Sequence, residues 1–257
     1  MKAELVASRP GLDIAAVTCG RQHAGWSPPE EQTDYRVVLV RRGRFRRRVA
    51  GRAADLDPTV GYIGRPGDEE HFAHPAGGDV CTSVRLSPAL WDALAGDPAA
   101  RTVYVDAHLD LAHRRLLRAA RDGDVEYGVV ERLTALLSAA LGSTAANDPD
   151  RALVDRAREA IRADDPAAGG LMPLAARLGV SPFRLSRAFT RQLGVSLTRY
   201  RNRVRVERAL DKLEDGAEDL AALAADLGFT DQAHLCRTMR QHLGHPPSAV
   251  RRLLRDE

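Results

Sequence analysis

Two arginines stand 50 residues apart at the same point of a recurring pattern, Arg187 two positions after Leu185 and Arg237 two after Leu235. On a helix, Leu185 and Phe189 mark one apolar face, and the opposite face offers Phe183, Arg184, Ser186, Arg187 and Arg191. Opposite Leu235 and Met239 the second copy offers Gln232, Ala233, His234, Cys236, Arg237 and Arg240. A guanidinium is a planar fork of donors that fits the acceptor edge of guanine, and a carboxamide fits adenine. Arg187, Arg237 and Gln232 therefore have the chemistry to read bases in a major groove, whereas Phe183 could touch only apolar groups such as a thymine methyl. The plainer role of an arginine is a solvated or phosphate-bound side chain, and this is the favoured reading of Arg184, Arg191, Arg199, Arg201 and Arg240.

These side chains need a rigid carrier, and the chain supplies one twice. Leu171-Met172-Pro173-Leu174-Ala175-Ala176-Arg177-Leu178-Gly179 is answered 49 residues later by Leu220-Ala221-Ala222-Leu223-Ala224-Ala225-Asp226-Leu227-Gly228. Each glycine is followed by a small hydroxylated residue, Ser181 or Thr230, read as a polar cap, and then by a second helical stretch ending at Gly194 or Gly244. Short helix, glycine turn, cap and second helix is the helix-turn-helix pattern. The offset grows from 49 to 50 at the second helix, so the second turn is one residue longer. Between the copies, Leu197, Tyr200, Val204, Ala209, Leu210 and Leu213 describe a long helix that would hold both at a fixed spacing.

Charge agrees with that placement. The net charge is +3, but residues 151–257 hold 19 basic and 14 acidic side chains. Between Arg177 and Lys212 ten basic residues face only Glu207 and Asp211, a balance that suits a polyanion. The chain prefers arginine throughout, its lysines being Lys2 and Lys212, so no single arginine argues for itself. No stretch approaches the ~20 apolar residues of a membrane span, and the first residues lack a signal-peptide core. Cys19, Cys81 and Cys236 are scattered and odd in number. A cytoplasmic protein with no disulfide framework is expected.

Residues 14–88 read as β-rich: runs such as Tyr35 to Val40 and Val80 to Leu86 lie between Gly, Pro and Asp turns, which suggests a sandwich or barrel. Ser87 and Pro88 look like the cap and first position of a helix. Helical periods follow at Leu109, Leu116 and Leu117, then from Asp124 at Val125, Val129, Leu133, Leu136, Leu137 and Leu141. This second, unusually apolar stretch is either intramolecular core or a surface that packs on its copy in a homodimer. Gly142 to Asp150 has linker composition, and Leu153, Val154, Ala157 and Ile161 open a last helical domain near Arg151 to Arg162.

Residues 151–254 resemble the DNA-binding domain of the AraC/XylS family of bacterial transcription regulators. The resemblance is carried by Leu178-Gly179-Val180-Ser181-Pro182 with Leu185, Arg187, Phe189, Gly194, Tyr200, Arg205 and Ala209. It continues in Ala224, Leu227-Gly228-Phe229, Asp231-Gln232, His234, Arg237, Gly244 and Pro247. It implies base contacts by Phe183, Ser186, Arg187, Gln232, Ala233 and Arg237. The part before residue 109 is similar to the cupin-like sensor domain of many members, through its strand pattern, the Pro66-Gly67-Asp68 turn and the Gly78-Asp79-Val80-Cys81-Thr82 segment.

The expected architecture is thus two-domain α+β. Residues 1–108 would be a cupin-like β-barrel sensor, 109–142 a helical dimerisation region, 143–150 a linker and 151–257 an all-α domain with two helix-turn-helix motifs. The expected function is that of an effector-responsive transcription activator acting on double-stranded promoter DNA, with RNA polymerase as a further partner, a homodimeric state and no membrane association. No catalytic residue, metal or cofactor is assigned.

His23, Trp26, Tyr35, Tyr62, His71, His74 and Cys81 could face a barrel interior, and the first six are candidates for a pocket that would take a small organic effector. His71 and His74 are three apart, unlike the His-x-His pair of enzymatic cupins, and are read as ordinary surface or hydrogen-bonded histidines. Control without a ligand stays open. The arginines at 41, 42, 44, 46, 47 and 48 surround Gly43 and are read as a solvated hairpin edge, with contact to DNA or another acidic partner as the alternative. A competing reading is a cupin-type metal-dependent enzyme fused to a DNA-binding module.

Overall fold

The structure, a computed structural model, describes residues 2–20, 23–94, 102–121, 133, 135–137, 140 and 150–255. The chain divides into two compact units, Met1–Val105 with Leu116–Thr144, and Asp106–Arg115 with Ala145–Glu257. No described helix is long and apolar enough to cross a membrane.

The N-terminal unit is built from strands β1 (Lys2–Arg9), β2 (Leu12–Cys19), β3 (Glu30–Glu31), β4 (Tyr35–Arg42), β5 (Phe45–Val49), β6 (Arg52–Leu56), β7 (Val60–Gly64), β8 (Glu69–Ala73), β9 (Asp79–Leu86) and β10 (Thr102–Tyr104). They form a six-stranded sheet in the order β1-β2-β9-β4-β7-β10 and a four-stranded sheet in the order β3-β8-β5-β6. Among the described residues no edge strand of one sheet pairs with an edge of the other, so the expected barrel is two separate sheets rather than a closed cylinder. Strand β4 lies between β9 and β7, and its Val37-Val38-Leu39-Val40 run is buried on both faces, which is why it is continuously apolar. Strand β9 pairs antiparallel with β2 in a register that sets Cys19 opposite Asp79 and Val17 opposite Cys81. Helix α1 (Pro88–Leu94) starts as expected, the Ser87 hydroxyl accepting from the Leu90 amide at 3.3 Å.

The arginine-rich segment is not the expected hairpin edge: at Gly43 the chain passes from β4 of the larger sheet to β5, an inner strand of the smaller one, and the Gly43 φ of +77° is a left-handed conformation that glycine adopts without strain. The segment is not uniformly solvated either. Alternation along β5 turns Phe45, Arg47 and Val49 inward. Arg47 is buried, donating to Glu70 at 2.8 Å and lying over the Tyr62 ring at 4.1 Å, while Arg46 and Arg48 cover Trp26. A period of two outranks charge here because the inward arginine finds a buried carboxylate.

Helix α2 (Ala107–Arg121) contributes its first residues, up to Arg115, to the C-terminal unit. That unit continues with α3 (Arg151–Arg162), a 3-10 turn (Pro166–Gly169), α4 (Leu171–Leu178), α5 (Pro182–Leu193), α6 (Leu197–Glu214), α7 (Leu220–Asp226), α8 (Gln232–Leu243) and α9 (Pro247–Arg255). Ala107 and Leu111 pack into one core with Val206, Leu210, Leu223, Leu235, Met239 and Val250. Burying a large aliphatic side chain stabilises by about 1.5–3 kcal/mol, so this cluster carries much of the unit's cohesion. Of the apolar stretch that starts at Asp124, Leu133, Leu136, Leu137 and Ala140 are helical and buried. Val125, Val129 and Leu141 lie outside the described residues, as does the expected linker except Asp150.

Candidate functional site

Helices α5 and α8 are the second helices of the two repeats, and each is amphipathic in the expected sense. Leu185, Ala188, Phe189 and Leu193 are buried in α5, and Leu235, Thr238, Met239 and Leu243 in α8. Phe189 meets Tyr200 of α6 edge-on at 5.0 Å between ring centroids, which fixes the rotation of α5 about its axis. The first turn is closed by Gly179 in the left-handed region, and α5 is capped by Ser181, which accepts from the Arg184 amide at 3.2 Å. In the second copy the cap is Asp231, not Thr230: its carboxylate accepts from the His234 amide at 2.6 Å. The longer turn moves the capping position one residue on, and Thr230 instead meets the His234 ring at 3.3 Å.

The opposite faces carry the residues that sequence reasoning assigned to DNA. Phe183 is 69% exposed, Arg187 is exposed and Ser186 half-buried on α5. Gln232, Ala233 and Arg237 are exposed on α8, with Cys236 half-buried between them and the core. The guanidinium of Arg187 lies over the Phe183 ring, 5.3 Å from its centroid. The arginines assigned to phosphates differ among themselves. Arg184 and Arg191 both donate to Asp150, at 2.7 and 2.9 Å, and Arg184, as the leading partner, holds the Asp150 carboxyl below its ordinary range. Arg199 and Arg240 are exposed. Arg201 is half-buried and lines a cavity of about 230 Å³ with Arg205 and Arg208, where burial and then the two neighbouring guanidiniums push the Arg205 pKa down.

The long helix α6 is also held by ion pairs between side chains. Arg203, buried, bonds Asp110 at 3.2 Å and Glu207 at 3.4 Å. Arg114 bonds Asp110, Asp211 and Glu214 at 3.0, 2.7 and 2.6 Å. Burial alone would raise the Asp110 pKa, but Arg114 and Arg203 hold it at about 2. Arg203–Glu207 and Arg114–Asp110 are local i,i+4 pairs, but nothing in the local pattern marks Arg203–Asp110, Arg114–Asp211 and Arg114–Glu214, which join residues about a hundred positions apart, nor the Asp150 clamp.

The N-terminal unit contains a cavity of about 500 Å³ between its sheets. Val17, Val38, Phe45, Tyr62 and Phe72 give it apolar walls, and His23, His74, Cys19, Asp79 and Cys81 also line it. Of the seven residues expected to face an interior, His23, Tyr62, His74 and Cys81 line the cavity. Trp26 lies under Arg46 and Arg48, Tyr35 stacks on Trp91 at 4.5 Å, and His71 Nδ1 is 2.9 Å from the Ser27 carbonyl. Strand β8 carries His71 and ends before His74, so the two histidines meet different neighbours. Burial pushes the Tyr62 phenol and the Cys81 thiol well up, so both are neutral donors. Cys19 and Asp79, absent from the expected set, are brought here by the β2–β9 register, a long-range pairing no local motif reveals.

Two capped helix pairs with matched exposed faces define a helix-turn-helix domain, and residues 174–253 match the helix-turn-helix domain family. The C-terminal part of the chain therefore carries a helix-turn-helix domain. The chain is 33% identical over 72 residues to the arabinose operon regulatory protein of Salmonella typhimurium, a match covering 28% of this chain. It spans about a quarter, 26%, of that relative's length. Similar solved structures include ToxT from Vibrio cholerae, at 9% identity over 96% of this chain and 99% of that one, with a TM-score of 0.40. Another is the C-terminal domain of AraT from Geobacillus stearothermophilus, at 27% identity over 41% of this chain and 85% of that one, with a TM-score of 0.37. A cupin superfamily protein from Desulfitobacterium hafniense is 14% identical over 34% of this chain and 76% of its own, with a TM-score of 0.30.

Proposed function

We propose that this chain is a sequence-specific DNA-binding transcription regulator, a cytoplasmic, homodimeric activator that works with RNA polymerase and answers to a small organic effector in the N-terminal cavity. It has no catalytic turnover in this reading. The observation that carries it is the pair α5 and α8, two capped recognition helices in one unit that expose Arg187 and Arg237 at equivalent positions. Phe183, Ser186, Arg187, Gln232, Ala233 and Arg237 touch bases, and Arg184, Arg191, Arg199, Arg201 and Arg240 hold the backbone. The apolar walls and polar end of the cavity suit a small molecule with one or two donor or acceptor groups. An effector switches the protein by binding two arrangements of it with different affinity.

The test is recovery of genomic DNA fragments by the purified chain at near-physiological salt. A shared motif with two elements roughly 10 bp apart is expected, one per recognition helix. Fragments without a common motif would leave only salt-dependent phosphate binding and overturn the reading.

A further inference from the structure

We propose that Cys19, His74 and Asp79 bind a divalent metal ion of the zinc class at the polar end of the cavity in the N-terminal unit. This inference is independent of the DNA-binding reading. One ligand atom from each residue lies within 4.8 Å of the others, and Asp79 and His74 are buried while Cys19 is half-buried. The three come from separate parts of the fold. Cys19 ends β2, Asp79 opens β9 directly opposite it, and His74 follows β8 of the other sheet, held by a backbone bridge to His23. The approach is close: a Cβ on Gly78 would sit 2.3 Å from the Cys19 carbonyl oxygen, so only glycine lets β9 begin there.

The hydrogen bonds determine where the lone pairs point. His23 Nδ1 is 3.0 Å from the Gly25 carbonyl, an acceptor, so Nδ1 carries a proton, and in a singly protonated ring Nε2 accepts. His74 Nδ1, 2.8 Å from that Nε2, must then be the donor. In the neutral ring this leaves a lone pair on His74 Nε2, which lies 2.9 Å from Asp79 Oδ1. Asp79 Oδ2 is occupied by the Cys81 thiol at 2.8 Å, whereas Oδ1 is buried with no hydrogen bond of acceptable geometry. A nitrogen lone pair and a carboxylate oxygen this close, with no proton on the line between them, repel unless a cation joins them.

The Cys19 sulfur is the third donor. One sulfur, one imidazole nitrogen and one carboxylate oxygen are a set for zinc-like ions, not for magnesium or calcium, which demand oxygen. At bond lengths of about 2.0–2.3 Å a tetrahedral ion needs its donors about 3.3–3.8 Å apart, and the His74–Asp79 pair, at 2.9 Å, has to separate by about 0.4–0.5 Å. His23 then has the outer role usual for a metal-bound histidine, fixing the tautomer by accepting from its other nitrogen.

The experiment uses the full chain, reduced and stripped with a chelator, titrated with Co²⁺ and then displaced with Zn²⁺. One ion per chain and a near-ultraviolet thiolate-to-cobalt charge-transfer band are expected. Cys19→Ser should abolish the band, Cys236→Ser should keep it, and Asp79→Asn and His23→Gln should each weaken Zn²⁺ binding by about tenfold or more. Cys19 is half-exposed, so its variant should fold even if a change at Asp79 does not. Absence of the band in the unmodified chain, its survival in Cys19→Ser, or its loss in Cys236→Ser would each overturn the site and leave the DNA-binding reading untouched.

Discussion

Arg187 stacks on Phe183 one helical turn back, and both side chains are open to solvent. The aromatic face holds the guanidinium in place, which on the proposed DNA-binding reading reduces the freedom lost on meeting a base. Arg187→Ala should cost about 1–3 kcal/mol and relax specificity within one half of the site. Phe183→Ala, which removes the platform, should cost about 0.5–1 kcal/mol. Competition binding on single-base variants of the recovered motif measures both; a loss uniform over all sequences would make Arg187 a phosphate contact.

The Asp150 carboxylate neutralises part of the charge of Arg184 and Arg191. Asp150→Asn should therefore tighten DNA binding at low salt and steepen the log–log salt dependence by up to about one to two, one for each arginine released to a phosphate. An unchanged slope would place both arginines away from the DNA backbone.

Acid should weaken the C-terminal unit in two steps. Burial, followed by Arg199 and Arg203, pushes the buried His242 down to about 4 from an ordinary 6.5. Its folded pKa is depressed, so its contribution is intact above about pH 6.5 and is lost as the pH falls toward 4. Asp110, at about 2 against an ordinary 3.8, contributes in full above about pH 4 and loses about 2 kcal/mol as the pH falls through 2. Asp211, raised chiefly by burial, works the other way: it takes up its proton in the folded state above pH 3.8, so it offsets the acid end of the upper step and leaves the lower one unchanged. Urea unfolding followed by helical circular dichroism should show both steps, and His242→Gln should remove only the upper one.

The displaced cap gives a direct comparison. Asp231→Ala should destabilise the unit by about 1 kcal/mol, whereas Thr230→Ala, which leaves the α8 cap intact, should cost less. Thermal unfolding of the two variants decides; equal losses would return the capping role to the threonine.

The helix-turn-helix pairs were legible because their determinants are local. The spacing of Leu174, Leu178, Leu185 and Phe189 fixes which face is buried, and Gly179 with Ser181 fixes the turn. The exposed set that includes Arg187 and Arg237 follows from that period alone. The cap at Asp231 was misplaced by one residue because two polar residues in succession satisfy the same pattern. The N-terminal site was legible only in part. Tyr62 and His74 line the cavity as expected, but the partner of each depends on strand register, which pairs Cys19 with Asp79 across 60 positions. Charge patterning misled at Arg47, where a buried Glu70 on a neighbouring strand reverses the reading of a solvated edge.

The ion pair between Arg203 and Asp110 also determines where the chain can be cut. A fragment that begins at Arg151, where composition places the start of the last domain, keeps the buried guanidinium and loses a carboxylate that neutralises it. Leaving such a charge short of its partner costs up to about 3–5 kcal/mol, and Glu207 recovers only part of it. The helix-turn-helix unit of this protein is therefore discontinuous in sequence, and a graft that moves residues 151–257 into another chain without Asp106 to Arg115 would transfer helices α5 and α8 but not their full stability.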